Sequence, residues 1–210
     1  MKQDNTKQKI LDTALKLFSE QGYDAVGVAE IAEAVGIKAP SLYNHFHSKQ
    51  AIFDAIVEST ALQYEKDTDK LAVHVQSAEK DAPFFSEISE ASLFEKVREI
   101  FEYSLHNETI SRFRKMMTIE QFRSKELGEL YTRRFVERLT NYHAKIFKSL
   151  FERGEICGEN ADALALTYVS PIITLIGICD REPEREAECL DKLKAHVGLF
   201  YKFVHSSTLG

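Results

Sequence analysis

The sequence predicts an all-α protein of about nine to ten helices. Three observations predict it. Apolar residues recur at i, i+3 and i+4 spacing along most of the chain, and no alternating stretch exceeds a few residues. Nine Gly and four Pro among 210 residues are too few for a turn-dense sandwich, a collagen or a long disordered tail. Hydrophobic residues make up 44% and charged residues 29%, an ordinary globular balance at a length that buries roughly 70% of the unfolded chain's surface.

The elements follow in order. Ile10, Leu11, Ala14, Leu15 and Phe18 form the first stripe, stopped at Gly22, which suits a left-handed C-cap. Val28, Ile31, Ala32 and Val35 form a second, shorter stripe that ends at Gly36. A third short helix is expected over about 39–46. Ile52, Phe53, Ile56, Val57 and Leu62 begin a longer fourth helix, with Ser48 as its N-cap. Between about 69 and 92 the periodicity blurs, and Ala82, Pro83, Phe84 and Phe85 read as a break between helices. The pattern returns at Leu93, Val97, Ile100, Phe101 and Leu105. A short helix over 110–122 and a long one over 127–151 follow, with Gly154 after it. Helices over 161–179 and 185–204 close the chain around Pro183. A change of composition near residue 60 divides it into domains at 4–64 and 65–210.

Charge and cysteines narrow the class. With 27 basic and 33 acidic residues the net charge is −6, which gives no overall attraction to nucleic acid or to an anionic membrane. Cys157, Cys179 and Cys189 form no C-x-x-C pair, and the first twenty residues contain no apolar signal-like core. A reducing, cytoplasmic setting is expected. The longest uncharged run, 17 residues between Asp162 and Asp180, falls short of a membrane span and reads as a buried helix. His45 and His47 stand two apart and would point to different faces of a helix, so no metal is expected there. There is no glycine-rich phosphate loop, nucleophile elbow or H-E-x-x-H, so neither an enzyme nor a cofactor is expected.

The strongest signal is VAEIAEAVGIKAPSLYNHFHSK, residues 28–49. A short apolar helix, a glycine-containing turn and a second short helix are the layout of a helix-turn-helix, whose second helix enters the DNA major groove. Ile31, Ala32, Val35, Ile37, Leu42 and Phe46 supply its buried side. Lys38, Ala39, Pro40, Ser41, Tyr43, Asn44, His45 and Lys49 are the candidate DNA-facing residues. Pro40 suits a first helical turn. Ala39 and Pro40 could meet thymine methyl groups, and Asn44 could pair with adenine. Residues 1–60 hold six Lys, no Arg and eight acids, so the electrostatic part of DNA binding is expected to be modest. Lys2, Lys7 and Lys9 at the first helix, with Lys38 and Lys49 beside the second helix of the motif, are the cations placed to contribute.

Residues 9–57 resemble the DNA-binding domain of TetR-type transcriptional regulators. The matching pieces are ILDTALKLFSEQGYDAVGVAEIAEAVGI and SLYNHFHSKQAIFDAIV, with Leu42, Tyr43, His45, Phe46, Ser48 and Lys49 the most specific. The resemblance implies a three-helix DNA-binding domain followed by a larger helical domain for ligand binding and dimerisation. It implies that the helix from Ala39 reads bases, that Tyr43 and His45 meet the backbone, and that Lys49 meets a phosphate. This chain departs from the family at Gly27, where Thr is common, and at Ala39 and Pro40, where Lys or Arg and Gly are common.

Residues 61–210 hold 17 of the 22 aromatic residues. Phe101, Met117, Gln121, Tyr131, Phe135, His143 and Tyr168 are candidate lining residues of an apolar ligand cavity, with Glu120 among its polar members. The two last helices carry more apolar surface than one core needs. Ile172, Leu175, Ile176, Leu193, His196, Val197, Phe200 and Phe203 are candidates for a four-helix dimer interface. The chain reads as a homodimeric DNA-binding regulator, a repressor released from a pseudo-palindromic operator by a small molecule. The alternatives are an all-α binding protein or enzyme with no DNA role, and a DNA-binding protein without a ligand.

Overall fold

The computed structural model describes residues 2–71, 73–74, 77–156 and 160–205. Cys157 and the side chain of Lys2 lie outside what it describes. Among the described residues the chain is helical and has no strand. In order the helices are α1 (Lys2–Gln21), α2 (Val28–Val35), α3 (Ala39–Tyr43), α4 (Lys49–Lys70), α5 (Ala78–Glu87), α6 (Glu90–His106), α7 (Glu108–Glu120), α8 (Lys125–Tyr131), α9 (Arg138–Glu152), α10 (Ala161–Arg181) and α11 (Glu186–His205). A π-helical segment, Thr132–Glu137, joins α8 to α9, so the long helix expected over 127–151 is made of three successive helical segments. A 3-10 turn, Pro183–Arg185, precedes α11.

Two compact units result, Met1–Tyr64 with Asn107–Tyr131, and Glu65–His106 with Thr132–Gly210. The sequence places all of 65–210 in one domain, whereas packing assigns 107–131 to the first unit. The reason is the apolar face of α7. Ile110, Phe113, Met116 and Met117 are buried, and α7 packs on α1, whose Ile10, Ala14 and Phe18 are fully buried. The expected helix stops hold: Gly22 and Gly36 take left-handed φ angles of 83° and 80°. Ser48 Oγ accepts the Ala51 N–H at 3.0 Å as the α4 cap.

The second unit has its core between α5, α6, α9, α10 and α11. The break expected at 82–85 is not there. These residues lie inside α5, with Pro83 in the helix interior. Proline removes one backbone bond from so short a helix, but Ala78 and Ala82 are buried in the core. Asp81, also buried, accepts the backbone N–H of His74 at 2.7 Å and the Tyr142 hydroxyl, which anchors α5 from both sides. By length and composition α10 could cross a membrane. Its Leu164, Ala165, Tyr168, Val169, Leu175 and Cys179 instead lie in this core. Leu193 of α11 is fully buried there. Leu193→Ala should lower the unfolding free energy by about 3 kcal/mol, read from urea melts at two protein concentrations and equal at both.

Candidate nucleic-acid interface

The site is built by α2, its turn and α3. Gly27 stands in extended backbone before α2 and donates its N–H to Glu30 Oε2 at 3.4 Å. This is one half of a capping box; a glycine has no side chain to supply the other. At the far end Gly36 turns the chain, and the Ile37 N–H reaches Ala32 O at 2.9 Å to close the helix. Lys38 then starts α3, with Ser41 N–H donating to Lys38 O at 2.8 Å and Pro40 in the first turn. Leu42 and Phe46 turn inward and are buried. Lys38, Pro40, Tyr43 and Asn44 are exposed, Tyr43 by 49%, while Ala39, Ser41 and His45 are half-buried. Seven of the eight expected DNA-facing residues therefore share one short segment with accessible surface. Lys7 of α1 sits beside it, its ammonium 5.4 Å from the Phe46 ring centroid.

Lys49 is turned inward. Its Nζ donates to Tyr23 O at 2.7 Å and Val26 O at 2.8 Å and lies 4.2 Å from the Tyr23 ring centroid. Two of its three N–H donors thus hold the loop between α1 and α2, which leaves one for any phosphate. On the same ring, 4.1 Å from its centroid, sits the Arg123 guanidinium. Arg123 pairs with Glu120 Oε2 at 2.9 Å and Asp24 Oδ1 at 3.0 Å. Glu120 Oε1 accepts the Tyr23 N–H at 2.8 Å. Burial pushes the Tyr23 phenol up, so it stays a donor, to Gln50 Oε1 at 3.2 Å. Sequence reasoning missed Tyr23 and Arg123 and set Glu120 in a ligand cavity. The i, i+3 pairing of Glu120 with Arg123 is legible; its partner 97 residues away is not. Lys49→Met should cost about 1.5–3 kcal/mol in urea unfolding, the usual worth of bonds from a charged donor.

The expected ligand residues do not gather in one place. Met117, Gln121 and Tyr131 belong to the first unit, and Phe101, Phe135, His143 and Tyr168 to the second. Phe101 and Met117 are fully buried core residues. The second unit holds an apolar cavity of about 20 Å³, room for one water. Phe85, Phe147, Tyr168, Phe200 and Tyr201 contribute to its walls, and of the expected set only Tyr168 does. His143 lies among rings, 4.9 Å from both Tyr142 and Tyr168 between centroids. Its Nδ1 donates to Leu139 O at 2.9 Å. Burial pushes this histidine down from 6.5 to about 4. The unfolded chain takes up that proton first, so the stability it supports is present above about pH 6.5 and lost as the pH falls toward 4. His143→Gln should therefore flatten the loss of stability between pH 6.5 and 5, a component on the order of 2 kcal/mol, measured by urea midpoints.

The expected interface residues also divide. Leu175, Leu193, Val197 and Phe200 are buried within the chain's own core, because they complete the contacts of α10 and α11 with α6 and α9. Ile172, Ile176 and His196 are half-buried, and His196 Nε2 lies 2.8 Å from Tyr168 O. The exposed apolar surface of these helices is carried by Phe203 (65%), with Leu199 (71%) and Leu166 (54%), which the sequence also reads as apolar but which are not in the candidate interface set. Cys179 and Cys189 are buried free thiols, and burial pushes Cys179 up to about 12, which makes it inert. Among the described residues no group of three or more His, Cys, Asp or Glu is arranged to hold a metal ion.

Comparison with known proteins agrees with this geometry. Residues 10–56 match the family described as bacterial regulatory proteins, tetR family. A stretch of 52 residues is 50% identical to the biofilm operon icaADBC HTH-type negative transcriptional regulator IcaR of Staphylococcus aureus, covering 25% of this chain and 28% of that protein. The chain thus matches less than a third of that relative's length. Among solved structures, NalD, the secondary repressor of the MexAB-OprM multidrug efflux pump in Pseudomonas aeruginosa, superposes over the full length of both chains with a TM-score of 0.65 at 21% identity. A protein of Mesorhizobium loti assigned to the TetR family matches 95% of this chain and 96% of its own with a TM-score of 0.65 at 23% identity. At such identities the likeness is one of fold, and the sequence match lies in the helix-turn-helix. Residues 10–56 thus resemble the DNA-binding segment of the tetR family of bacterial regulatory proteins, and the chain shares the fold of these solved structures.

Proposed function

We propose that the chain is a DNA-binding transcriptional regulator that works as a homodimer, represses, and is released from a pseudo-palindromic operator by a small molecule bound in its second unit. One observation carries the DNA part. A five-residue helix with exposed Pro40, Tyr43 and Asn44 is mounted on a buried apolar footing of Ile31, Ala32, Leu42 and Phe46. A short helix buried on one side and exposed on the other, directly after a glycine turn and a second helix, is the arrangement a helix-turn-helix presents to a major groove. Lys7, Lys9 and Lys38 are exposed, while Lys49 is committed inward, so few phosphates are neutralised and salt dependence is shallow. The repressing sign is supported by the IcaR likeness, a protein named as a negative regulator.

The dimer reading rests on exposed Leu166, Leu199 and Phe203 on the last two helices, which fit a two-fold contact between copies. The small-molecule reading rests on the aromatic lining of the second unit's cavity, which has to widen to admit anything larger than water.

Fluorescence anisotropy with duplexes from around the protein's own coding sequence, at two salt concentrations and against unrelated competitor, tests the proposal. Competitor-resistant binding by two protomers per site is expected. Asn44→Ala should weaken it about tenfold and relax preference at one base pair of each half-site. Phe203→Glu should leave each chain folded, shift sedimentation to monomer and abolish two-protomer binding. Equal affinity for every duplex would overturn the reading.

A further inference from the structure

The chain passes between its two units three times, after Tyr64, after His106 and after Tyr131. The segment of α7 and α8 is therefore tethered at both ends to the second unit, while its side chains pack in the first, against α1. One buried carboxylate fastens it there. Glu120 is 4% exposed, and its two oxygens are divided between a backbone N–H of the helix-turn-helix unit, that of Tyr23, and the guanidinium of Arg123. Gly22, in left-handed backbone, lies beside this carboxylate. A Cβ there would stand 3.5 Å from Glu120 Oε1.

Tyr23 is the middle of the arrangement. Arg123 and Lys49 both place a cation on its ring, and Lys49 also holds its carbonyl. Lys49 is the first residue of α4, directly beyond the turn that follows α3. A line of contacts thus runs from Glu120 and Arg123 through Tyr23 to Lys49, the first residue of α4. Such charge-assisted contacts are directional and mutually reinforcing. None of its members except Lys49 is among the candidate DNA-facing residues.

We propose that Glu120 and Arg123 are positioning residues for DNA recognition: their clamp on Tyr23 sets where Lys49 and the turn after α3 stand. This role rests on the DNA-binding reading above and deepens it.

The test uses the full chain and a duplex bound by the unaltered protein. Glu120→Gln keeps an acceptor oxygen and the side-chain volume but removes the charge that Arg123 answers. Arg123→Gln removes the other half. Each should weaken binding about tenfold, the worth of one charge-assisted bond. The double variant should be no weaker than either single one, because the pair acts as one unit. Amide exchange should quicken at Tyr23 and the 24–27 loop and stay unchanged in the middle of α1 and α7, with helical circular dichroism retained. Unaltered affinity in both folded variants would overturn the proposal. So would a loss of affinity that merely follows the folded fraction, or additive losses in the double variant. Failure of the unaltered protein to prefer any duplex would overturn the DNA reading itself, and this role with it.

Discussion

A five-residue helix does not persist in water, because nucleation fixes several residues for a single hydrogen bond. Everything that α3 can do in this protein therefore depends on what holds it in place. From below, the holding force is burial: Leu42 and Phe46 sit in the apolar interior with Ile31 and Ala32 of α2. From its far end it is electrostatic, the Lys49 ammonium fixed to two backbone carbonyls and to the face of Tyr23. Apolar burial sets the depth of the helix but is non-directional. The hydrogen bonds and the ring contact, which are directional, fix the start of α4 against the loop between α1 and α2.

The same division of labour appears in the second unit. Its core is large and apolar, and Asp81 and His143 are among the polar groups inside it. Asp81 joins α5 to the segment before it and to Tyr142 of α9. His143 is kept neutral among aromatic rings. A cavity with room for one water is what close packing leaves behind. A unit packed this tightly does not deform smoothly, so a guest that enters it has to displace helices as bodies.

Much was legible in the sequence because it is local. The all-helical class follows from apolar spacing, and the stops at Gly22 and Gly36 from the one residue that takes left-handed backbone freely. The Ser48 cap and the exposed side of α3 follow from residues within a few positions of one another. The errors share a cause. Pro83 reads as a break because proline is disfavoured within helices, and burial of Ala78 and Ala82 with the bonds of Asp81 overrides that preference. Leu193 and Val197 read as interface because periodicity shows that a face is apolar without showing what covers it.

By itself, then, the sequence determined the kind of protein: helices, their ends, and a recognition segment with its exposed side chains. Tertiary structure alone decided which side chains are engaged. It engaged two of the Lys49 donors as an internal anchor, joined Glu120 to the backbone of Tyr23, and drew 107–131 into the first unit. The physical reason is range. Helix signals are written within one or two turns of chain. A bond such as that from the Tyr23 N–H to Glu120, spanning 97 positions, exists only once both ends have folded.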